Sequence, residues 1–289
     1  MTSGKHIDCD KSGEALKEQR FHMLEDIARE LAGDVVFPTN FDAVVALRKI
    51  LQAPQLTIQD LTQALALEPL ISAKLIHRAN LDAGTDQNIV DLQTAIKALG
   101  LKTARSCAMS IVMAQLLGAR GMAGLSEMAD ALWEHSIRAA AAARVIAANC
   151  TRINPDEAML AGMIHDLGGF YMLYRAAQYE ELLQRPESIR FLMIDWHESI
   201  GIALLKALGL PEEIISATED HDHPRPPPLP PRSLRDIVYI ANLLAGRHCE
   251  SPLQDERQCT RDIEFFETAF AHLKPEIDAL VQEMRSCFS

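Results

Sequence analysis

Residues 155–174 read PDEAMLAGMIHDLGGFYMLY. Asn154 can cap a helix here, Pro155 presets its first turn, and Glu157 places an acid where the helix dipole favours one. One helix is predicted from Glu157 to Tyr174. It carries His165 and Asp166 side by side in the segment AGMIHDLGG. Neighbours on a helix differ by about 100°, so both side chains can reach one metal ion, with the carboxylate free to bridge.

Seven of the ten histidines lie beyond residue 134. Three more sit in segments of the same character: His135 in WEHSIRAA, His197 in DWHESIG, and His221 in SATEDHDHP, where His223 follows. Each falls within or at the end of a predicted helix. Helices from distant parts of a chain commonly supply imidazoles to one bundle-core site.

The rest of the chain is also helical in pattern. Glu14 to Leu31 forms a leading helix that Gly33 can stop. Asn40 can cap a helix through VVALRKIL. Thr57 caps IQDLTQALA with Asp60 three residues on. Pro69 opens LISAKLIHRAN, and Asp91 caps LQTAIKALG, which Gly100 ends. Residues 101–117 are apolar on most sides and should lie buried. Residues 118–125 hold three glycines and read as a link. Ser126 starts a long alanine-rich helix, and residues 188–208 form another. PEEIISATEDHDH is a short helix, and PRPPPLPP (224–231) an exposed, stiff loop. Ser233 caps LRDIVYIANLLAGRH, and two helices close the chain, near 260–272 and from Pro275. No alternating apolar segment is long enough for a sheet. The fold class is therefore all-α, with a five-helix lobe at 33–117 and a second lobe at 126–250, preceded by a tail and leading helix at 1–32 and followed by packed helices at 251–289.

Composition narrows the setting. The 289 residues are 48% hydrophobic, only 5% aromatic, and carry a formal charge of −12. Abundant Ala and Leu favour helices. Acidic charge repels phosphate backbones, so no nucleic-acid partner is expected. No apolar run spans a bilayer and no signal peptide is evident, so a cytoplasmic protein with no membrane contact is expected. The six cysteines form no CxxC pair and read as reduced thiols. Cys107 and Ser110 lie on an apolar helix with no base nearby, and GARGMAG lacks a phosphate-binding lysine.

The order His, then His-Asp before Leu-Gly, then two more histidines, resembles the HD metallohydrolase superfamily. The stretch DWHESIGIALLKALGLPEEIISATEDH is similar to its HDOD branch. So are FPTNFDAVVALRKILQAP, QDLTQALALEPLISAKLIHRAN and IVDLQTAIKALGLKTARSCAMS in the first half. The likeness covers roughly residues 33–245. It implies the HD helical bundle with an N-terminal lobe, and a metal shell of His135, His165, Asp166, His197 and His221.

The departures are informative. Where active HD hydrolases carry a late-helix aspartate, YIANLLA has Asn242, which can coordinate but balances no charge. Where the cyclic-dinucleotide phosphodiesterases of the HD-GYP branch carry lysine after the motif, this chain has Gly169. Glu68 stands before Pro69 in place of aspartate, and Leu81 follows Asn80 in place of serine. The resemblance implies a bacterial signal-transduction protein with a degenerate site, acting through a regulatory protein partner or a nucleotide ligand. The alternative is a metal-dependent phosphohydrolase on a phosphodiester or nucleotide, with Asp166 as its catalytic group. The five ligand-type residues would hold one divalent transition metal (iron, manganese, zinc or nickel), or none, persisting as hydrogen-bonded core residues. Trp133 and Trp196 sit near candidate ligands as packing groups or a stacking platform. His77, His223, His248 and His272 read as surface or helix-end residues.

Overall fold

The computed structural model describes residues 14–31, 56–66, 69–83, 89–105, 107–108, 111, 125–207, 210, 212–246 and 256–286. Among these, every regular element is a helix, as the sequence predicts. The stop at Gly33, the helix capped by Asn40, the glycine link short of Leu125, and the boundaries at 32, 117 and 250 lie outside the described residues.

Helix α1 (Glu14–Leu31) leads. Then come α2 (Ile58–Ala66), α3 (Pro69–Ala83) and α4 (Leu92–Leu99), which pack on one another. Local rules set their ends. Thr57 and Asp60 exchange the reciprocal bonds of a capping box, at 3.1 Å and 3.0 Å. Asp91 accepts from the Thr94 amide at 2.8 Å, and Gly100, at φ 78°, ends α4. Asn80 grips Ile89 on the chain returning to α4, donating to its carbonyl at 2.8 Å and accepting from its amide at 2.7 Å. Leu81, beside it, is exposed.

The second half is built around α5 (Ser126–Cys150). Its residues 139–143 are all alanine and all buried, so neighbours approach closely. Helices α6 (Pro155–Ile164), α7 (Leu167–Ala176), α8 (Glu180–Leu183), α9 (Pro186–Ala207), α10 (Glu212–Ala217), α11 (Leu234–Ala245), α12 (Glu256–Ala269) and α13 (Lys274–Ser286) follow. Ser233 and Asp236 form a full capping box at the start of α11. The proline run between α10 and α11 is non-helical, as expected.

Two expectations need correction. The helix predicted over 157–174 is two helices, broken by a turn at His165 and Asp166. Asp166 has φ −99° and ψ 18° and stands at the N-cap of α7. Its side chain does not cap the helix but faces the imidazoles, and the two glycines after it weaken a continuous helix. The helix predicted over PEEIISATEDHDH stops at Ala217, and Asp220 turns the chain at φ 52°. His221 therefore lies beyond the helix.

Candidate metal centre

Two close approaches bring the site together. A β-carbon on Gly162 would lie 2.8 Å from the Ala139 carbonyl, so α6 touches α5 one turn from His135. A β-carbon on Gly168 would lie 1.9 Å from the His197 carbonyl, so α7 touches α9 at His197 itself. Glycine is required at both crossings. They set His135, His165, Asp166 and His197 around one point, and the turn after α10 adds His221. All five are buried.

Each imidazole is oriented by its Nδ1, which donates to a backbone carbonyl. His135 donates to Gly246 (2.5 Å), His165 to Gly162 (2.8 Å), His197 to Met193 (2.7 Å) and His221 to Thr218 (2.7 Å). Carbonyls only accept, so Nδ1 carries the hydrogen and a neutral ring presents a lone pair at Nε2. These Nε2 atoms converge: His135 on His165 at 3.1 Å, and His197 on His221 at 3.2 Å. Facing lone pairs need a proton or a cation between them.

Asp166 stands between the two pairs. Its Oδ2 lies 3.5 Å from His135 Nε2 and 3.3 Å from His165 Nε2. Its Oδ1 lies 3.5 Å from His197 Nε2 and 3.1 Å from His221 Nε2. The ligand-type residues thus form two groups of three that share one carboxylate. The sequence suggested a single ion; each of the two groups offers three donors. Ligand atoms about 2.1 Å from an ion stand about 3.0 Å apart at octahedral angles and about 3.4 Å at tetrahedral ones. The observed spacings match those edges, so the donor set fits divalent transition metals.

The charges are strongly coupled. Burial opposes ionisation of Asp166, yet His165, His221 and His197 around it hold its carboxyl well below the usual range. Burial pushes His165 down to about 4. Burial acts the same way on His221, but Asp222 and Asp166 outweigh it and raise this imidazole to about 10.

Asp222 is the site residue that sequence reading missed. Its Oδ2 lies 3.3 Å from His197 Nε2. The only signal in the sequence is its place directly after His221. Asn242, expected as a weak oxygen ligand, instead turns its amide nitrogen inward. That nitrogen donates to the His221 carbonyl and to Asp222 Oδ1, each at 2.9 Å. The position of the absent lysine is crowded: a β-carbon on Gly169 would meet the side-chain ends of Leu132 at 3.1 Å and Met193 at 3.3 Å.

The other candidates stand apart. His77, His223 and His272 are exposed. His223 adjoins Glu198 and Asp220 at the surface. Trp196 is 45% exposed, while Trp133 packs on the core, where Cys107 is also buried. Ser110 and His248 fall outside the described residues.

The HDOD domain family model matches residues 37–224. The chain belongs to the HDOD family. Among solved structures, this HDOD chain is similar to the "putative metal-dependent phosphohydrolase" of Shewanella amazonensis SB2B (TM-score 0.64, 20% identity, covering 94% of this chain and 100% of that one). It is also similar to an HDOD domain protein of Geobacter sulfurreducens (TM-score 0.57, 19% identity, 93% and 98%). A "putative signal transduction protein" of Marinobacter aquaeolei VT8 shares the fold at a TM-score of 0.57 and 16% identity, over 98% of this chain and 68% of that one. Identities this low establish the fold alone. No curated protein matches the chain. Among the described residues, no helix is long and apolar enough to cross a membrane.

Proposed function

We propose that this HDOD protein is a bacterial regulatory module whose HD cluster holds divalent transition metal, one ion in each half of the site. The observation that carries the metal reading is the convergence of four imidazole Nε2 atoms on the two oxygens of Asp166, with every Nδ1 already committed to a carbonyl. His135 and His165 would hold one ion, His197 and His221 the other, and Asp166 would bridge them. Glycine at 169, which supplies no cation, supports a regulatory rather than a hydrolytic role, because phosphoryl transfer depends on cations placed around the developing charge. The module would then signal by binding a regulatory protein or a nucleotide.

The test is the metal content of untagged protein purified without chelator. About one or two transition-metal ions per chain, lost in the His165→Ala, Asp166→Ala variant, are expected from such a donor set. Well-folded protein that holds none and refuses added zinc or manganese would end the metal reading. Recovery of no regulatory partner by pull-down under several growth conditions would count against the signalling role.

One observation favours a phosphohydrolase as the second reading: a carboxylate shared between two donor groups suits a pair of ions. Such ions supply a water acidified to near neutral pH and a clamp on phosphate oxygens. Asp166 would orient the reacting groups. Turnover of a phosphodiester or nucleotide by metal-loaded protein, abolished by Asp166→Asn, would establish this reading over the first.

A further inference from the structure

Asn242 and Asp222 are a matched pair. Asn242 is buried on α11, and its amide nitrogen faces two groups that only accept, the His221 carbonyl and the Asp222 carboxylate, each at 2.9 Å. The orientation of the amide is therefore settled by its partners. A carboxylate at 242 would set an oxygen against both acceptors in a buried place, which is costly. Asparagine at 242 is thus the residue that Asp222 requires.

Asp222 is positioned to act on the His197–His221 half of the centre. Asp220, at φ 52°, turns the chain just before it. His221 and Asp222 follow in succession, and both reach the cluster. One oxygen of Asp222 is held by Asn242, and the other lies 3.3 Å from His197 Nε2. That is the same range as the spacings within the two donor groups. Asp166 serves both halves, one oxygen to each, and Asp222 adds a further carboxylate oxygen beside His197.

We infer that Asp222 is a carboxylate ligand of the metal held by His197 and His221, and that Asn242 is the positioning residue that aims it. The negative charge sought at 242 resides at 222. With Asp166, the centre then carries two carboxylates against its cations, a better balance than one. This inference rests on the metal centre proposed above.

The test compares wild type with Asp222→Asn, Asn242→Asp and the exchanged double variant Asp222→Asn, Asn242→Asp. Each full-length protein is stripped with chelator, melted to establish folding, and titrated with zinc and with cobalt(II). Bound metal per chain, metal-induced rise in melting temperature, and the cobalt absorption spectrum are read. Asp222→Asn is expected to weaken one of the metal equivalents by about 100-fold and to alter the cobalt spectrum, whereas loss of an aiming partner alone costs about 10- to 100-fold. The exchanged variant restores a donor–acceptor pair between 222 and 242, but it leaves only an uncharged amide at 222 and sets a carboxylate oxygen at 242 against the His221 carbonyl, so it is not expected to recover the loss. Asn242→Asp alone should also bind worse than wild type, because its carboxylate repels Asp222. Should Asp222→Asn fail to fold, Asn242→Ala keeps the carboxylate but frees it, and should still weaken the same equivalent. Asp222→Asn or Asn242→Ala binding metal like wild type overturns the assignment while leaving the metal centre intact. An exchanged variant that binds metal like wild type also overturns the assignment of Asp222 as the ligand. Wild type that binds neither ion overturns both this inference and the metal centre beneath it.

Discussion

Gly168 has no room for a β-carbon, and the position of His197 depends on that. In Gly168→Ala the new carbon would lie 1.9 Å from the His197 carbonyl and 2.5 Å from the Gly201 nitrogen. The backbone of α9 must move. We expect about 3 kcal/mol of lost stability, at the upper end of overpacking costs, together with weakened metal retention. Gly201→Ala is the control. Its nearest contact is 3.3 Å, so a loss of about 1 kcal/mol is expected. Urea midpoints of the two variants check the difference. At His221 the sign of a pH effect follows from the raised pKa. The folded, metal-free protein keeps this proton up to about 10, while the unfolded chain releases it near the ordinary imidazole value of 6.5. Its stabilising contribution is full below 6.5 and is lost as pH rises from there through about 10. Denaturant melts in chelator across that window should show the decline, and His221→Gln should flatten it. The five ligand-type residues were legible because imidazole and carboxylate in that order carry their chemistry in their identity. Asp222 was not legible, because an aspartate in a polar turn has the same sequence signature whether it faces water or a metal centre.

At the scale of helices, the capped ends were readable, whereas the break at Asp166 and the stop at Ala217 were not. Thr57, Asp91, Ser233 and Gly100 act through neighbours three or four residues away, so their roles are written locally. The break at Asp166 answers a different demand, the fit of α7 against α9 at Gly168. Helix α1, which precedes the residues matched by the family, clamps this same α7. Glu30 accepts from the Tyr171 hydroxyl and pairs with Arg175 at 2.8 Å, while Asp26 accepts from Tyr179. Glu30→Ala leaves the buried Tyr171 hydroxyl without this acceptor, and removes from Arg175 its shorter ion pair, leaving Asp26 at 3.4 Å. A loss of about 1–3 kcal/mol is expected, the cost of under-satisfied buried polar groups, measured by thermal or urea unfolding. A Glu30→Ala protein as stable as wild type would show that α1 contributes little to holding α7.

For the whole molecule, the proposed metal would link its binding to folding, because the donors come from α5, the α6–α7 turn, α9 and the turn after α10. Zinc or manganese at about 100 times its dissociation constant should stabilise the protein by about 2.7 kcal/mol per site. The rise should vanish in His165→Ala, Asp166→Ala, and calorimetry with and without chelator reads it directly. Restoring a lysine at position 169 should not create a phosphodiesterase. Its side chain would enter Leu132 and Met193 in the core, so lower stability and no gain in turnover are expected for Gly169→Lys. The sequence by itself determined the all-helical class, the capped helix ends, the family, and the set of imidazoles and the carboxylate from which a centre could be made. Those follow from local propensity and residue chemistry, which act over a few positions of the chain. Only the tertiary structure decided that the donors divide into two groups about Asp166, that Asn242 donates rather than accepts, and that Asp222 joins them. Those arrangements depend on distances between residues tens of positions apart, which are set when Gly162 lets α6 meet α5 and Gly168 lets α7 meet α9.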